Sequence, residues 1–536
     1  MKKFLSLVLT LALALSLMTF SAQAAAPDFI ANVGSQPETL DPQMNSASDG
    51  SVYIHHLFEG LMNYDWDGNG IVPGAAESYE MSEDGLTWTF KIRDDAKWSD
   101  GQDLVAEDFV YSFKRLANPD TGAPYAGDMS KFILNGLDVV QGDKPVDELG
   151  VTALDSKTLE VKLQNPCSFF EMVMAFPAFY PVRADVVEGN NAWATSPETL
   201  IGNGGYLMES WTMDEEIVMV PNPTYYNVEN IVCQRLVFKL IADPMAKITA
   251  VRSGELDFAD DLPSDQIEAA KAEGIYFIMP IVGTYYVNFN NTKAPFDNVL
   301  VRKAFTLAID TEVLARIATG ESYLPADNFV GPGYPNGTPG SDFHDAQVVI
   351  DRSDYEANKK LAQEALAEAG YPNGEGFPVV EYWTNVAGVH QPTAEMLISM
   401  WKEVLGVTVE VQGVEWNVFL EARRTKQHAM ARDGWVADVM DASNLLGLFE
   451  SYSGNNSTGY NNPEYDALMK AYYQELDPVK AAEFMHQAEM LAFGQDYASC
   501  PVYYYPVQTI SRPGVEGVAL FSTNDKLFFK AVAPDR

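Results

Sequence analysis

Basic residues are scarce in this chain of 536 residues, which has 35 lysines and arginines against 75 aspartates and glutamates. The formal net charge at pH 7 is -40. Nucleic acid is therefore excluded as a partner, because its phosphates require lysine and arginine for binding. The acidic charge favours solubility and gives a weak preference for cationic ligands.

Cysteine is also rare. The three cysteines, Cys167, Cys233 and Cys500, are widely spaced and form no CxxC pair, which leaves out the spacing typical of zinc and redox centres. At most one disulfide is possible. Three buried thiols are the alternative.

Long hydrophobic runs are confined to the start of the chain, where residues 1–24 have the features of a signal peptide. Lys2 and Lys3 precede an apolar stretch over 4–20, and a small-residue motif ends at Ala24, after which cleavage is expected. No later run reaches the about 20 apolar residues needed to span a bilayer. Because no cysteine follows the motif, no lipid anchor is expected. The mature protein is expected in the periplasm, or outside a cell that has a single membrane; an uncleaved anchor is the alternative.

Catalytic motifs are missing from the sequence. It has no GxxxxGK[ST] loop for nucleotide phosphates, no GxSxG nucleophile elbow and no HExxH metal pair. His55 and His56 are adjacent, so on a helix they do not share a face, and a structural or surface role is expected for both. The sequence therefore predicts neither an enzyme nor a bound cofactor.

Strand patterns dominate the first half. Trp88, Phe90 and Ile92 alternate with polar residues, a helix is predicted from about Glu107, and a second alternation follows the turn over 155–157. These elements predict a small strand-rich module. Two further strands are predicted within 214–241, separated by a turn over 221–223.

The second half alternates helices and strands. An apolar helix face is formed by Val301, Ala304, Phe305, Ala308 and Ile309. The later elements are predicted as a helix from Ser353, with a capping box to Glu356, to Gly370, a strand over 379–386, a helix over 393–405, a strand over 407–411 and a helix over 416–426. This succession is typical of an α/β domain.

The sequence resembles the oligopeptide-binding proteins of bacterial ABC importers, in the peptide and nickel branch of the extracellular solute-binding proteins. The resemblance rests on stretches that occur in the same order over nearly the whole mature length: ETLDPQ (38–43), LFEGL (57–61), TWTFKIRDDAKWSDG (87–101), DFVYSFKRLANP (108–119), RSGELDF (252–258), NNTKAPFDNVLVRKAF (290–305), GWVAD (434–438) and PVYYY (501–505).

This resemblance implies an α/β fold of the periplasmic-binding-protein class II, with three lobes that close like a flytrap about a hinge. The first lobe would be discontinuous, formed by 25–58, 185–281 and 504–536. The second, strand-rich lobe would span 59–184, and the third, an α/β lobe, 282–503. The hinge would lie where the chain crosses near 281 and 503.

The GWVAD motif supplies the best-supported site residue of the resemblance, Asp438. In the family this position binds the free α-amino group of a peptide, a cation that needs a carboxylate when it is enclosed away from water. Trp435 would form a wall for a ligand side chain. A surface aspartate and a core tryptophan are the alternatives.

Other positions match main-chain and side-chain contacts of the family. An extended peptide adds like a strand and uses the backbone groups that every peptide has. Gly434, Val436, Ser46 and Ser48 match positions that offer such contacts, and Tyr125 matches an aromatic contact. A turn or packing role is the alternative for each.

The carboxylate end of a peptide requires cations. Arg423 and Arg432 match the positions of such contacts, since the planar arginine fork binds a carboxylate bidentately. His390 matches a further contact suited to longer peptides, and Trp416 matches a pocket position. Structural salt bridges are the alternative for the two arginines.

Three positions depart from the enteric members of the family. Ser46 stands where they have an acidic residue, and Gly283 and Val436 stand where they have cysteine. The resemblance implies a monomeric receptor that delivers short peptides to a separate membrane permease. The alternatives are a cell-wall peptide, a sugar or a metal chelate as ligand, an extracytoplasmic enzyme, or a chaperone.

Overall fold

The structure of the protein is a computed structural model that describes residues 28–534, except for 69, 168, 319–322, 386–388 and 522. The predicted signal peptide over 1–24 lies outside the described residues. None of the helices in the described part of the chain has both the length and the apolar character needed to cross a bilayer.

Helices and strands alternate along the described chain. The α-helices are Ser48–Leu57, Ala106–Ala117, Ala126–Ser130, Gly136–Val140, Phe170–Met174, Ala184–Val187, Pro244–Ser253, Ile267–Glu273, Val299–Leu307, Thr311–Ala318, Tyr355–Glu368, His390–Leu405, Trp416–Arg424, Ser443–Leu446, Pro463–Gln474 and Pro478–Glu489. The strands are Phe29–Asn32, Met62–Tyr64, Ile71–Pro73, Ala76–Met81, Thr87–Ile92, Val151–Asp155, Thr158–Lys162, Tyr206–Thr212, Glu216–Pro221, Leu236–Lys239, Phe258–Asp260, Tyr276–Phe289, Leu324–Pro325, Pro335–Asn336, Thr338–Asp342, Val380–Asn385, Val409–Val414, Met430–Val436, Ser499–Ser511, Ala519–Leu520 and Lys526–Leu527.

A mixed sheet of 11 strands forms the centre of the fold. Its strands follow the order Val409–Val414, Val380–Asn385, Met430–Val436, Tyr276–Phe289, Ser499–Ser511, Phe258–Asp260, Phe29–Asn32, Leu236–Lys239, Glu216–Pro221 and Tyr206–Thr212, and Leu324–Pro325 pairs beside Ser499–Ser511. Neighbouring strands of this sheet therefore come from distant parts of the chain.

The predicted strand-rich module is a separate sheet of four strands, Ala76–Met81, Thr87–Ile92, Thr158–Lys162 and Val151–Asp155. Trp88, Phe90 and Ile92 are buried on one face of the second strand, as the alternation predicts. The predicted helix begins at Ala106. Alternating apolar residues thus located this module correctly.

The predicted apolar helix face in the second half is also confirmed. Val301, Ala304 and Phe305 are fully buried in the helix Val299–Leu307. The Phe305 carbonyl accepts a hydrogen bond from Trp401 Nε1 at 2.9 Å, which ties this helix to His390–Leu405. The helix His390–Leu405 packs against the strands Val380–Asn385 and Val409–Val414, and the helix Val299–Leu307 packs against Ser499–Ser511.

Three predicted boundaries differ from the structure. The cap of the helix Tyr355–Glu368 is Asp354, whose carboxylate accepts the Ala357 N–H at 3.0 Å, rather than Ser353. The helix predicted from residue 393 begins at His390, because Pro392 is tolerated in a first helical turn. The strand predicted over 407–411 is Val409–Val414, in register with Val380–Asn385.

Two long strands link the halves of the large sheet. Tyr276–Phe289 and Ser499–Ser511 pair with each other, and their register shifts between Pro280 and Thr284. The predicted crossings near 281 and 503 fall within these strands. The bounds of the three lobes and the hinge itself remain predictions.

Two smaller observations complete the comparison with the sequence. The three cysteines are free thiols. His55 and His56 are buried in the helix Ser48–Leu57, where His55 Nε2 lies 3.0 Å from Asp525 and His56 Nδ1 lies 2.7 Å from the Val52 carbonyl. These contacts agree with a structural role for both.

Candidate functional site

Two neighbouring cavities form one cleft beside the strand Met430–Val436. The smaller has a volume of about 80 Å³ and the larger a volume of about 390 Å³. The cavities share four lining residues, Ser48, Trp416, Arg432 and Val436. A ligand that enters one cavity can therefore extend into the other.

All eleven site residues proposed from the sequence line this cleft. In addition to the four shared residues, the smaller cavity contains Ser46, Tyr125, Arg423, Gly434, Trp435 and Asp438, and the larger contains His390. The structure thus brings together residues from five separate stretches of the chain. Their roles in binding stay predictions.

The strand Met430–Val436 explains why so many of them occur in one motif. Side chains two residues apart point to the same face of a strand. Arg432, Gly434 and Val436 share a face, and Asp438 follows just beyond the strand end, where the Ala437 N–H donates to the Val282 carbonyl at 2.8 Å. Because side chains on one face of a strand recur every two residues, the positions 432, 434, 436 and 438 follow one another along the cleft.

Asp438 is held by neutral hydrogen-bond donors. Tyr125 Oη donates to Oδ1 at 3.2 Å, and Asn444 Nδ2 donates to Oδ2 at 3.2 Å. The side-chain amide oxygen of Asn444, Oδ1, accepts hydrogen bonds from the Asp438 backbone N–H at 2.9 Å and from Trp435 Nε1–H at 3.2 Å. Asn444 lies outside the GWVAD motif and was missed by the sequence analysis.

No cation balances the Asp438 carboxylate. Among the described residues, no lysine, arginine or histidine nitrogen lies within 4.0 Å of it. Burial raises its pKa to about 8, and the charges of Asp525 and Asp128 act in the same direction. The carboxylate is therefore placed to gain stability from a positively charged ligand group.

Arg423 already has a carboxylate partner. Its guanidinium lies 3.1 Å from Asp433, which is 1% exposed and also accepts from Asn288 Nδ2 and Ser457 Oγ at 3.0 and 2.8 Å. Burial would raise the pKa of Asp433, but Arg423 and Ser457 hold it below its usual value. This pair fits the salt-bridge alternative for Arg423.

Arg432 is in a different state. It is 8% exposed, donates from Nε to Asn385 Oδ1 at 2.8 Å, and lies over the Phe419 and Trp416 rings at 4.7 and 5.2 Å. Within the described part of the chain, no carboxylate lies within 4.0 Å of its guanidinium. Arg432 can therefore accept an anionic ligand group at the junction of the two cavities.

His390 is a neutral group in this arrangement. Its ring stacks on Tyr285 with the centroids 5.6 Å apart, and its buried Nδ1 has no hydrogen-bond partner among the described residues. Burial and the charge of Arg432 lower its pKa well below the usual value. His390 can offer a hydrogen bond to a ligand but no charge at neutral pH.

The sequence analysis missed a charged wall of the larger cavity. Asp49, Asp260 and Asp261 line it together with Lys247 and Lys526. Their residue types are common in an acidic chain, and all five lie outside the motifs quoted above. Only the fold brings them together.

A large mixed sheet with helices packed on it and a cleft beside it is the architecture of a solute-binding protein of the periplasmic-binding-protein class II. Sequence comparison gives the family. Residues 70–457 match the sequence model of the bacterial extracellular solute-binding proteins, family 5, and the chain belongs to that family.

Relatives and solved structures cover almost the whole chain. The periplasmic oligopeptide-binding protein of Salmonella typhimurium is 33% identical over 508 residues, which is 94% of this chain and 91% of that protein. The oligopeptide-binding protein of Haemophilus influenzae, in complex with RPPGFSPFR, superposes with a TM-score of 0.88 at 31% identity, over 95% of this chain and 99% of that one.

One relative has been solved in two arrangements. The murein tripeptide binding protein of Escherichia coli superposes with a TM-score of 0.88 at 30% identity, over 96% of this chain and 99% of that one. Its unliganded open form superposes with a TM-score of only 0.61 at 31% identity, over 95% and 96%. The present structure therefore does not have the arrangement of that open form.

Proposed function

We propose that the protein captures short peptides outside the cytoplasm and delivers them to the permease of an ABC importer. The observation that carries the proposal is the half-buried Asp438 carboxylate, which lines a cleft and lacks a cation within 4.0 Å among the described residues. A peptide α-amino group is a cation with hydrogen-bond donors and matches this carboxylate. The names of the relatives support the same ligand class.

The two ends of the peptide would bind different parts of the cleft. The α-amino group would pair with Asp438 in the smaller cavity, and the ligand main chain would run along Gly434 and Val436. The ligand carboxylate would bind Arg432, since Arg423 is engaged by Asp433. Backbone recognition of this kind admits many peptide sequences.

The binding protein would act without chemistry of its own. It would be exported by the segment 1–24, remain monomeric in the periplasm, and transfer its ligand to permease subunits that work with their own ATPase. The alternative functions are the binding of another solute by the same fold, and activity as an extracytoplasmic enzyme or as a chaperone.

Mass spectrometry of the ligand that co-purifies with the protein tests the proposal. The protein is purified without added ligand and denatured, and the released small molecules are analysed. We expect a mixture of short peptides with free amino ends. A single sugar, a steroid or a metal complex would contradict the peptide assignment, and ligand that is cleaved during long incubation would point to the enzyme.

A further inference from the structure

The charged wall of the larger cavity is the strongest feature of the molecule that the proposed function does not use. It is formed by residues of four elements: the helix Ser48–Leu57, the helix Pro244–Ser253, the strand Phe258–Asp260 with the residue after it, and the strand Lys526–Leu527. Arg432, Trp416 and His390 come from other elements of the same cavity. The wall and these three residues therefore line one cavity from different elements, and Asp49 of the wall directly follows Ser48, a proposed main-chain contact.

Only one of the three aspartates in this wall is neutralised. Lys247 Nζ lies 3.1 Å from Asp260 Oδ1, and Lys526 Nζ lies 3.7 Å from Asp260 Oδ2. Both lysine side chains are at least nine-tenths buried, with exposed fractions of 5% and 3%. Asp260 and its two lysines form a compact, fixed group.

Asp49 and Asp261 have no direct ion-pair partner among the described residues, although the charge of Lys247 acts on both. Asp49 Oδ1 accepts the neighbouring Gly50 N–H at 2.9 Å, and neither carboxylate has a cationic nitrogen within 4.0 Å among the residues described. Burial raises the pKa of Asp49 to about 7 and that of Asp261 to about 6. Each carboxylate would be stabilised by a cation from outside the protein.

A second, independent observation marks the same cavity as a ligand site. Gln508 lines it, is 6% exposed, and has an Nε2 group without a hydrogen-bond partner in the described structure. A buried amide donor left unpaired costs free energy. A peptide carbonyl in this cavity would satisfy it.

We propose that the larger cavity is a side-chain subsite in which Asp49 and Asp261 bind the cationic head of a lysine or arginine of the peptide. The volume of about 390 Å³ accommodates a long side chain beside the ligand backbone. The basic residue follows the first residue of the peptide, since the α-amino group occupies the smaller cavity. This inference rests on the proposed function and adds a preference for basic peptides.

Titration calorimetry with tripeptides tests the subsite. The first series is Ala-Ala-Ala and tripeptides with lysine, glutamine or glutamate at the second or the third position. At one of the two positions, we expect lysine to bind at least about tenfold more tightly than glutamine, the size of a charge-assisted hydrogen bond. Glutamate at that position is expected to bind most weakly.

The variant Asp49→Asn with Asp261→Asn identifies the residues responsible. It should remove the difference between lysine and glutamine and leave the affinity for Ala-Ala-Ala unchanged. Asp94→Asn with Asp95→Asn is the matched control, because these exposed aspartates lie outside the cavity and the change removes the same charge. A thermal melt checks that each variant is folded.

The outcomes separate the two proposals. If no tripeptide binds, the proposed peptide function fails. If tripeptides bind but lysine and glutamine are equivalent at both positions, peptide capture stands and the subsite is wrong. The subsite is also overturned if the preference for lysine persists in the Asp49→Asn, Asp261→Asn variant.

Discussion

Asp438 combines a proposed binding role with a stability cost. Its carboxylate is hydrogen-bonded by Tyr125 and Asn444, yet burial raises its pKa to about 8 because no cation is near it in the described structure. An ordinary aspartate has a pKa of about 3.9. The unliganded cleft therefore holds a proton at neutral pH that the unfolded chain releases.

Proton release on binding follows from this pKa. At pH 7 the free Asp438 is largely protonated, whereas an α-ammonium group pairs with the ionised form. We expect peptide binding to release up to about one proton, measured by calorimetry at pH 7 in buffers of different ionisation enthalpy. The release should disappear in Asp438→Asn. A buffer-independent binding enthalpy in the unmodified protein would contradict the assignment.

The Asp438→Asn substitution should raise the stability of the unliganded protein. Between pH 4 and 8 the folded protein binds a proton that the unfolded chain has lost, so the free energy of unfolding falls as the pH rises through this range. The amide has no such dependence. Thermal melts should show the variant above the unmodified protein at pH 8 and level with it at pH 4. A lower melting temperature at pH 8 would count against the raised pKa.

The two arginines of the cleft should respond differently to substitution. Arg423→Met leaves Asp433 buried without its cation, which costs about 3–5 kcal/mol of folding free energy. Arg432→Met removes a guanidinium that has no carboxylate partner in the described residues but donates to Asn385, so the smaller cost of about 1 kcal/mol is expected. Denaturant unfolding measures the first effect.

Peptide binding measures the effect of Arg432. The unmodified protein should bind a tripeptide acid more tightly than its C-terminal amide, and Arg432→Met should bind the two equally. If Arg432→Met retains the preference for the acid, another group binds the ligand carboxylate.

The register of the strand Met430–Val436 determines which of its residues line the cleft. Gly283 and Val436 are opposite each other where this strand pairs with Tyr276–Phe289. Opposite Cα atoms of antiparallel strands lie about 4.5–5.5 Å apart, within the range for a disulfide. By the family resemblance, these are the two positions at which enteric members are expected to have cysteine.

The pairing predicts a disulfide in the variant Gly283→Cys, Val436→Cys. After oxidation and denaturation, a thiol assay should find as many free thiols as in the unmodified protein, and two more after reduction. The single variants are the controls, each with one additional free thiol. Two additional free thiols in the oxidised double variant would show that the register is different.

Sequence patterns located these elements well but not their contacts. The alternation of Trp88, Phe90 and Ile92 predicted a strand in the correct place, and the apolar face at Val301 predicted a helix. Both predictions succeeded because each element buries its apolar residues on one face. The motif around Asp438 led to the site through the family resemblance, and alternate positions of its strand share a face. The sequence patterns did not identify four further residues of the cleft, Asn444, Asp49, Asp261 and Gln508. Nothing in the local sequence distinguishes them from other polar residues, and only the tertiary structure brings them together.

Among the described strands of the large sheet, Tyr276–Phe289 and Ser499–Ser511 are the two longest, with 14 and 13 residues. The present arrangement matches one structure of the Escherichia coli murein tripeptide binding protein with a TM-score of 0.88 and its unliganded open form with 0.61. An opening about the strands Tyr276–Phe289 and Ser499–Ser511 would admit the ligand. Binding energy would then favour the closed form.

Small-angle X-ray scattering tests this closure. We expect the unliganded protein to have a larger radius of gyration than the protein saturated with a tripeptide. The same saturation should stabilise the fold, by about 2.7 kcal/mol at a ligand concentration 100 times the Kd. An unchanged radius of gyration at saturation would mean that binding does not close the molecule.

The central claim is that the ligand is a peptide held by its α-amino group at Asp438, and acetylation of that group tests it most directly. Calorimetry compares one tripeptide with a free and with an N-acetylated amino end, on the unmodified protein and on Asp438→Asn. We predict that acetylation weakens binding to the unmodified protein by at least about 1–3 kcal/mol and has little effect on the variant. Equal affinities of the two tripeptides for the unmodified protein would contradict the claim.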